Sequence, residues 1–61
     1  EAANPRLGEL LLTDPAPGVR RAAAWALGET RTAAARQGLE RARDDPDPQV
    51  RATVRAQLAL L

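Results

Sequence analysis

The seven residues DPAPGVR at positions 14–20 recur as DPDPQVR at positions 45–51. Five of these seven positions are identical, and the shift that places Asp14 on Asp45 also places Leu27 on Leu58. Self-similarity at one fixed offset of this length is typical of a chain built from repeated structural units. We therefore divide the chain into two repeats, residues 1–30 and residues 31–61.

Each repeat is predicted to form two helices that the Asp-Pro turn separates. Pro15 ends the first helix, because a residue that precedes proline disfavours the α conformation. Pro17 and Pro48 begin the helices that follow the two turns, since the first helical position needs no backbone N–H. No segment alternates apolar and polar residues with a period of two, and β-branched residues are few. We therefore expect an all-α chain of four short helices.

Capping residues indicate where these helices begin and end. Asn4 is the candidate N-cap of the first helix, Thr30 or Thr32 that of the third, and Asp47 that of the fourth. Gly28 is the expected end of the second helix, because glycine readily adopts the left-handed conformation that follows a last helical turn. The second repeat thus copies the plan of the first.

The apolar residues of each predicted helix share one face, which we expect to form the core. These residues are Leu7, Leu10 and Leu11 in the first helix; Val19, Ala22, Ala23, Ala26 and Leu27 in the second; Ala35, Leu39 and Ala42 in the third; and Val50, Val54, Leu58 and Leu61 in the fourth. Leu58, Leu60 and Leu61 leave apolar surface at the end of the chain, where a repeat protein needs polar covering for solubility. The isolated chain is therefore expected to self-associate or to unfold easily.

The composition excludes several classes of function. The chain has no cysteine, histidine or serine, so it cannot form a disulfide, a zinc-finger site or the usual nucleophile pairs of hydrolases. We expect no catalytic, cofactor or metal site. The net charge of +1 excludes a strongly basic or acidic tail. Without a signal peptide or an apolar run of ~18 residues we expect a cytoplasmic protein, and the lack of lysine beside abundant Ala, Arg and Pro is typical of a GC-rich bacterial genome.

These features together resemble a known family. The Asp-Pro-x-Pro-x-Val-Arg turn, the alanine-rich second helix that ends in Ala26-Leu27-Gly28 and the spacing of the two turns are similar to HEAT repeats, particularly the short variety of phycobilisome lyases and many bacterial proteins. The resemblance implies an α-solenoid fragment of two HEAT-like helical hairpins that binds proteins, with no particular chemistry. The second repeat departs from the family pattern at Arg55 and Gln57, where alanines are usual, and at Ala59, which replaces the closing glycine.

The resemblance also implies a structural role for the two turn motifs. Arginines such as Arg20 and Arg51 typically pair with the turn aspartate of their own or the adjacent repeat, and Asp14 and Asp45 lie six residues upstream. We expect these four residues to form a ladder of partly buried ion pairs rather than a ligand site.

Trp25 is the only aromatic residue, which excludes an aromatic stacking platform for single-stranded nucleic acid. It stands at the flank of the predicted inner face of its helix. It either packs against a neighbouring helix or repeat, or is exposed and anchors a protein partner, since tryptophan is enriched among interface hot spots. We retain Trp25 as the candidate partner-binding residue. The acidic residues Asp44, Asp45 and Asp47 fit the turn and the helix cap better than a cation site, because prolines interrupt the loop.

Three functions follow as hypotheses. The first is a non-catalytic interaction module that binds a protein partner, further repeats of a parent chain, or another copy of itself. The second is the C-terminal tail of a larger enzyme, since HEAT-like repeats occur in epoxyqueuosine reductases and phycobilin lyases; a chain that begins at Glu1 rather than Met agrees with excision from a longer protein. The third is RNA or DNA binding along the arginine-bearing helix faces, which the interspersed acids disfavour.

Overall fold

A computed structural model describes residues 5–61, apart from the side chains of residues 5–7 and 9. The described chain folds into four helices and contains no strand, which confirms the predicted all-α class. The helices are α1 (Pro5–Leu12), α2 (Pro17–Thr30), α3 (Ala33–Arg41) and α4 (Pro48–Leu60). No helix of this described part is long and apolar enough to cross a membrane.

The helix starts follow from local sequence. Helices α2 and α4 both begin at a proline, and the residue before each proline is extended, with φ −86° and ψ 118° at Ala16 and φ −86° and ψ 127° at Asp47. The Asp47 side chain accepts a hydrogen bond of 2.9 Å from the Val50 N–H. Thr32, rather than Thr30, is the N-cap of α3, and its hydroxyl oxygen accepts a bond of 3.0 Å from the Ala35 N–H. The predicted cap Asn4 lies outside the described residues.

The sequence predicted that helix α2 ends at Gly28, and this prediction is wrong. The helix continues to Thr30, and Arg31 takes the left-handed conformation at its C-cap, with φ 55° and ψ 40°. Gly28 is buried inside the helix against Gln57 of α4; a Cβ atom at Gly28 would lie only 2.7 Å from the Gln57 Cβ. The missing side chain therefore serves the contact between α2 and α4, and not the end of the helix.

The four helices form two layers, with α1 beside α3 in one and α2 beside α4 in the other. Consecutive helices also contact each other across the layers, so the chain consists of two stacked helical hairpins. The contact between α2 and α4 is the most extensive, whereas α1 and α4 do not touch in the described part. The dimensions of 30 × 23 × 15 Å leave room for only a thin core between the layers.

The core of the described chain is small and rich in alanine. Its buried apolar residues are Leu12, Ala23, Ala24, Ala35, Leu39, Val50 and Val54. The predicted faces of α3 and α4 are confirmed, because Leu39, Val50 and Val54 are fully buried and Leu58 and Leu61 are partly buried against them.

The predicted face of α1 is wrong. Leu12 is buried, whereas Leu10 and Leu11 are exposed, and the side chain of Leu7 is not described. Helix α1 approaches α2 through Gly8, where a Cβ atom would lie 2.8 Å from a methyl carbon of Leu27. Leu12 lies one helical turn beyond Gly8 and therefore shares its inward side.

The predicted face of α2 is only partly right. Ala23 is buried and Leu27 is partly buried, but Val19, Ala22 and Ala26 are exposed. Ala24, which the predicted face omitted, is fully buried. The difference arises because α2 has helices on two sides, and the row that contains Ala24 faces α4.

Candidate protein-binding surface and the junction between repeats

The two repeats are joined by a bidentate ion pair between Arg20 and Asp45. The Arg20 Nε donates to Asp45 Oδ2 at 2.8 Å and its Nη2 donates to Oδ1 at 3.0 Å. The Nη1 of the same guanidinium donates to the backbone carbonyl of Asp14 at 2.7 Å, in the turn of its own repeat. The two side chains are 12% and 7% exposed. Arg20 thus bonds to both Asp-Pro turns, because the packing of α2 beside α4 brings the two turns close together.

The charges of this pair are stabilised by each other. The hydrogen bonds from Arg20 lower the pKa of the Asp45 carboxyl below its ordinary value; burial opposes this shift, and the Asp47 N–H, which donates to Asp45 Oδ1 at 2.9 Å, assists it. The same hydrogen bonds raise the pKa of the Arg20 guanidinium. Both groups therefore stay charged at neutral pH. A charge-assisted bidentate pair fixes orientation as well as distance, so it sets the register of the second repeat on the first.

The second turn arginine has different partners. The Nη1 of Arg51 donates to the carbonyl of Asp45 at 2.8 Å and to that of Pro46 at 3.1 Å. The expected ion pair between Arg51 and the Asp45 carboxylate is not formed, because Arg20 holds that carboxylate. In the first turn, Asp14 Oδ1 accepts from the Ala16 N–H at 2.9 Å, and no described arginine pairs with its carboxylate. Of the four residues expected in the ladder, the structure therefore joins Arg20 and Asp45 through their side chains.

Trp25 lies on the outer side of the layer formed by α2 and α4, and 57% of its surface is exposed. It lines an open groove of about 470 Å³ between these helices. The remaining lining residues are Gly18, Arg21, Ala22 and Thr53. Trp25 is therefore mostly exposed in the described chain, and its role in binding a partner stays a prediction.

Arg21 is held in place at this groove. Its Nη1 donates to the side-chain oxygen of Gln49 at 2.8 Å, which links α2 to α4. Because a guanidinium carries five N–H groups, most of its donors remain available beside the indole. The groove therefore offers an aromatic face, a positioned cation and a floor of small side chains. Arg21 and Thr53 were not singled out from the sequence. Arg21 precedes Trp25 by four residues on α2, and this helical spacing could have identified it. Thr53 is brought next to Trp25 only by the pairing of α2 with α4.

The acidic residues of the second turn are used by the fold. Asp45 holds Arg20, Asp47 caps α4, and Asp44 lies 3.4 Å from the Arg55 guanidinium at the surface. The described residues contain no group of three acidic side chains that could hold a metal ion.

The comparisons with known proteins agree with this architecture. The family model of HEAT repeats matches residues 1–59, which is nearly the whole chain. No match was found among curated proteins or among solved structures. The two stacked hairpins, the repeated Asp-Pro turn and this match lead to one conclusion: the chain belongs to the HEAT repeat family.

Proposed function

We propose that the chain is a non-catalytic protein–protein interaction module that binds a partner protein in the groove of Trp25. HEAT repeats are generally protein-interaction modules, and this is the part of the proposal that the family itself supports. The observation that carries the location is the exposed indole of Trp25 beside the fixed guanidinium of Arg21.

The composition of the groove favours a protein ligand. Tryptophan and arginine are among the residue types most enriched at interface hot spots, and they act best in the centre of a contact. The small side chains of Gly18, Ala22 and Thr53 leave space beside the indole for an apolar side chain of the partner. Arg21 would then donate to a carboxylate or a backbone carbonyl next to that side chain.

Selection of peptides from a random display library on the immobilised chain tests this proposal. Peptides that bind the groove should lose at least about tenfold in affinity on Trp25→Ala, because the anchor of the contact is removed. Leu10→Ala is the matched control, since it removes another exposed apolar side chain on the opposite layer. Equal binding of the selected peptides to the wild type and to Trp25→Ala would place the interaction surface elsewhere.

The sole tryptophan also provides a direct signal. Because Trp25 is the only aromatic residue of the chain, a groove-bound peptide without aromatic residues should shift the fluorescence emission to shorter wavelength and protect it from acrylamide quenching. A peptide that binds without either change does not cover the indole and contradicts the assignment.

The likeness to phycobilisome-lyase repeats and the alternative of a C-terminal tail in an epoxyqueuosine reductase-like enzyme or a phycobilin lyase stay separate predictions. No contact among residues 5–61 favours the enzyme tail. Cysteine-rich iron–sulfur motifs encoded upstream in the same gene would support it.

A further inference from the structure

The junction between the two repeats has two sides, one on α2 and one on the second turn and α4. Residues equivalent to each side lie at the two ends of the described chain. In that junction, one side is the row Arg20, Ala24 and Gly28 of α2, and the other comprises Asp45 of the second turn with Val50 and Gln57 of α4. The offset between the two repeats assigns each of these an equivalent. We call Arg51, Arg55 and Ala59 the C-terminal face, and Asp14, Val19 and Ala26 the N-terminal face.

The charged groups at the two ends are arranged as they are in the junction. The Nη1 of Arg51 donates to the backbone carbonyl of Asp45 in its own turn at 2.8 Å. The Nη1 of Arg20 donates in the same way to the carbonyl of Asp14 at 2.7 Å. Arg20 holds Asp45 through its Nε and Nη2 groups. The same two groups of Arg51 have no carboxylate partner in the described part of the chain. Asp14 Oδ1 accepts the N–H two residues further on at 2.9 Å, as Asp45 Oδ1 does. Each end therefore presents one half of a bidentate pair in the orientation that the internal pair uses.

The apolar residues at the ends also have equivalents in the junction. Val50 has no exposed surface, whereas its equivalent Val19 is 41% exposed because no helix among residues 5–61 covers that side of α2. In the junction, Gln57 fills the space that Gly28 leaves open. Their equivalents are Ala26 and Ala59, both exposed. A large and a missing side chain are thus replaced by two methyl groups. In the geometry of the junction these methyl groups would lie 2.7 Å apart, so a docked copy must stand slightly farther away at this point.

We propose that a second copy of this chain docks head to tail, with its N-terminal face on the C-terminal face of the first. The Asp14 carboxylate of one copy accepts from Nε and Nη2 of Arg51 in the other, which repeats the geometry of the pair between Arg20 and Asp45. The occupant is a second copy because its first turn carries Asp14 and Val19 at the spacing of Asp45 and Val50, whose carboxylate and apolar side chain the junction holds. The contact joins two different surfaces, so it continues from copy to copy and does not close as a symmetric dimer.

A second residue of the C-terminal face also opposes tight docking. Arg55 stands at the position equivalent to the fully buried Ala24, and its side chain lies at the surface 3.4 Å from Asp44. A docked copy must displace this side chain, whereas the internal junction has only a methyl group there. The association is therefore weaker than the packing of α2 on α4, and Arg55→Ala should strengthen it. Because the end faces are separate from the groove of Trp25, this inference does not rest on the proposed function.

A charge-swap experiment in sedimentation equilibrium tests the proposal. The wild type should associate with increasing concentration to species larger than a dimer. Asp14→Arg alone and Arg51→Asp alone should each remain monomeric, because like charges then meet at every contact. An equimolar mixture of the two variants should associate again, since the new aspartate of one meets the new arginine of the other and the native pair forms at the alternate contacts. Glu29→Arg makes the same charge change as Asp14→Arg at an exposed position outside the two end faces and should leave the wild-type association unchanged.

Two gentler variants separate docking from folding. Asp14→Asn keeps the oxygen that accepts from the Ala16 N–H, and Arg51→Lys keeps a cation that reaches the carbonyl of Asp45. Each should weaken association at least tenfold while circular dichroism shows unchanged helix content. A wild type that is monomeric at about 1 mM overturns the proposal, as does a mixture of folded swap variants that stays monomeric, or association that Asp14→Asn and Arg51→Lys leave unchanged.

Discussion

Val19 in the first repeat and Val50 in the second are the same residue at the same position of equivalent helices. Each is the third residue of a helix that begins at proline, and each is followed by the turn arginine. Nevertheless, 41% of Val19 is exposed and none of Val50 is. The difference shows that the valine at this position becomes buried only where another hairpin precedes its own.

The two Asp-Pro turns show the same contrast for polar groups. Asp14 and Asp45 both accept the N–H two residues further on at 2.9 Å, so this turn conformation arises from local sequence. Only Asp45 also holds an arginine side chain, since only the second repeat has a described helix stacked before it. The turn aspartate therefore makes only a local bond within the turn in the first repeat, whereas in the second repeat it is also part of a buried pair.

The largest expected effect comes from placing a charge at each valine. Val50→Asp should leave the chain largely unfolded, because an unpaired buried carboxylate costs more than the ~3–5 kcal/mol that a core of this size supplies. Val19→Asp should retain its helix content, since the new carboxylate reaches water. Far-ultraviolet circular dichroism of both variants measures the difference. Equal loss of helix in the two would contradict the comparison between the repeats.

Glycine positions in α2 should give the next largest effect. Gly28→Ala is expected to destabilise the fold by about 1–3 kcal/mol, because the new methyl overlaps the Gln57 side chain. Gly18→Ala, with nothing within 4 Å of its new methyl, should stabilise the helix by up to ~1 kcal/mol. Urea unfolding measures both, and Gln57→Ala in the Gly28→Ala background should recover part of the lost stability, because it removes the overlapping amide group but keeps the Gln57 Cβ close to the new methyl. Failure of that rescue would show that the contact between Gly28 and Gln57 is not the cause.

The turn aspartates should differ in their response to pH. The folded-state pKa of Asp45 is lowered from 3.8, so its contribution is fully present above that pH and is lost as the pH falls through the lower folded value. Asp45→Asn should lower the Tm at pH 7 by about 5 °C or more and should remove this part of the acid sensitivity. Asp14→Asn, at a carboxylate that has no described arginine partner, should leave the Tm at pH 7 nearly unchanged. Thermal melts between pH 2 and 7 decide this, and parallel curves for the wild type and Asp45→Asn would refute the role of the pair.

The smallest expected effect is that of the arginine in the second turn. Arg51→Ala should lower the Tm by about 4 °C through the loss of two bonds to backbone carbonyls. Arg20→Ala should lower it more, because it also strands the Asp45 carboxylate. Arg43→Ala, at an exposed position, should have little effect. Melting temperatures of the three variants at pH 7 test this order, and equal values for Arg51→Ala and Arg43→Ala would contradict a structural role for the second Val-Arg pair.

Much of the secondary structure was predictable because its causes are local. Pro17 and Pro48 open their helices, and Thr32 and Asp47 cap theirs, through contacts within a few residues along the chain. The fixed offset between the two Asp-Pro turns was sufficient to predict stacked hairpins. Trp25 was recognised as a candidate for binding because it is the only aromatic residue, but neither its exposure nor its neighbour Thr53 followed from the sequence. Arg21 lies four residues before Trp25, so helical spacing alone places it on the same side of α2.

The tertiary structure decided which sides of the helices are buried and which groups are paired. Ala24 and Leu12 are buried in place of Ala26 and Leu11, and Gly28 serves a helix contact in place of a helix end. Arg20 rather than Arg51 holds the Asp45 carboxylate. The sequence by itself determined helices, turns and the repeat, because steric limits and capping act over a few residues. Burial and ion pairing depend on which hairpin stands next to which, and in two nearly equivalent repeats only their stacking distinguishes a covered face from an open one.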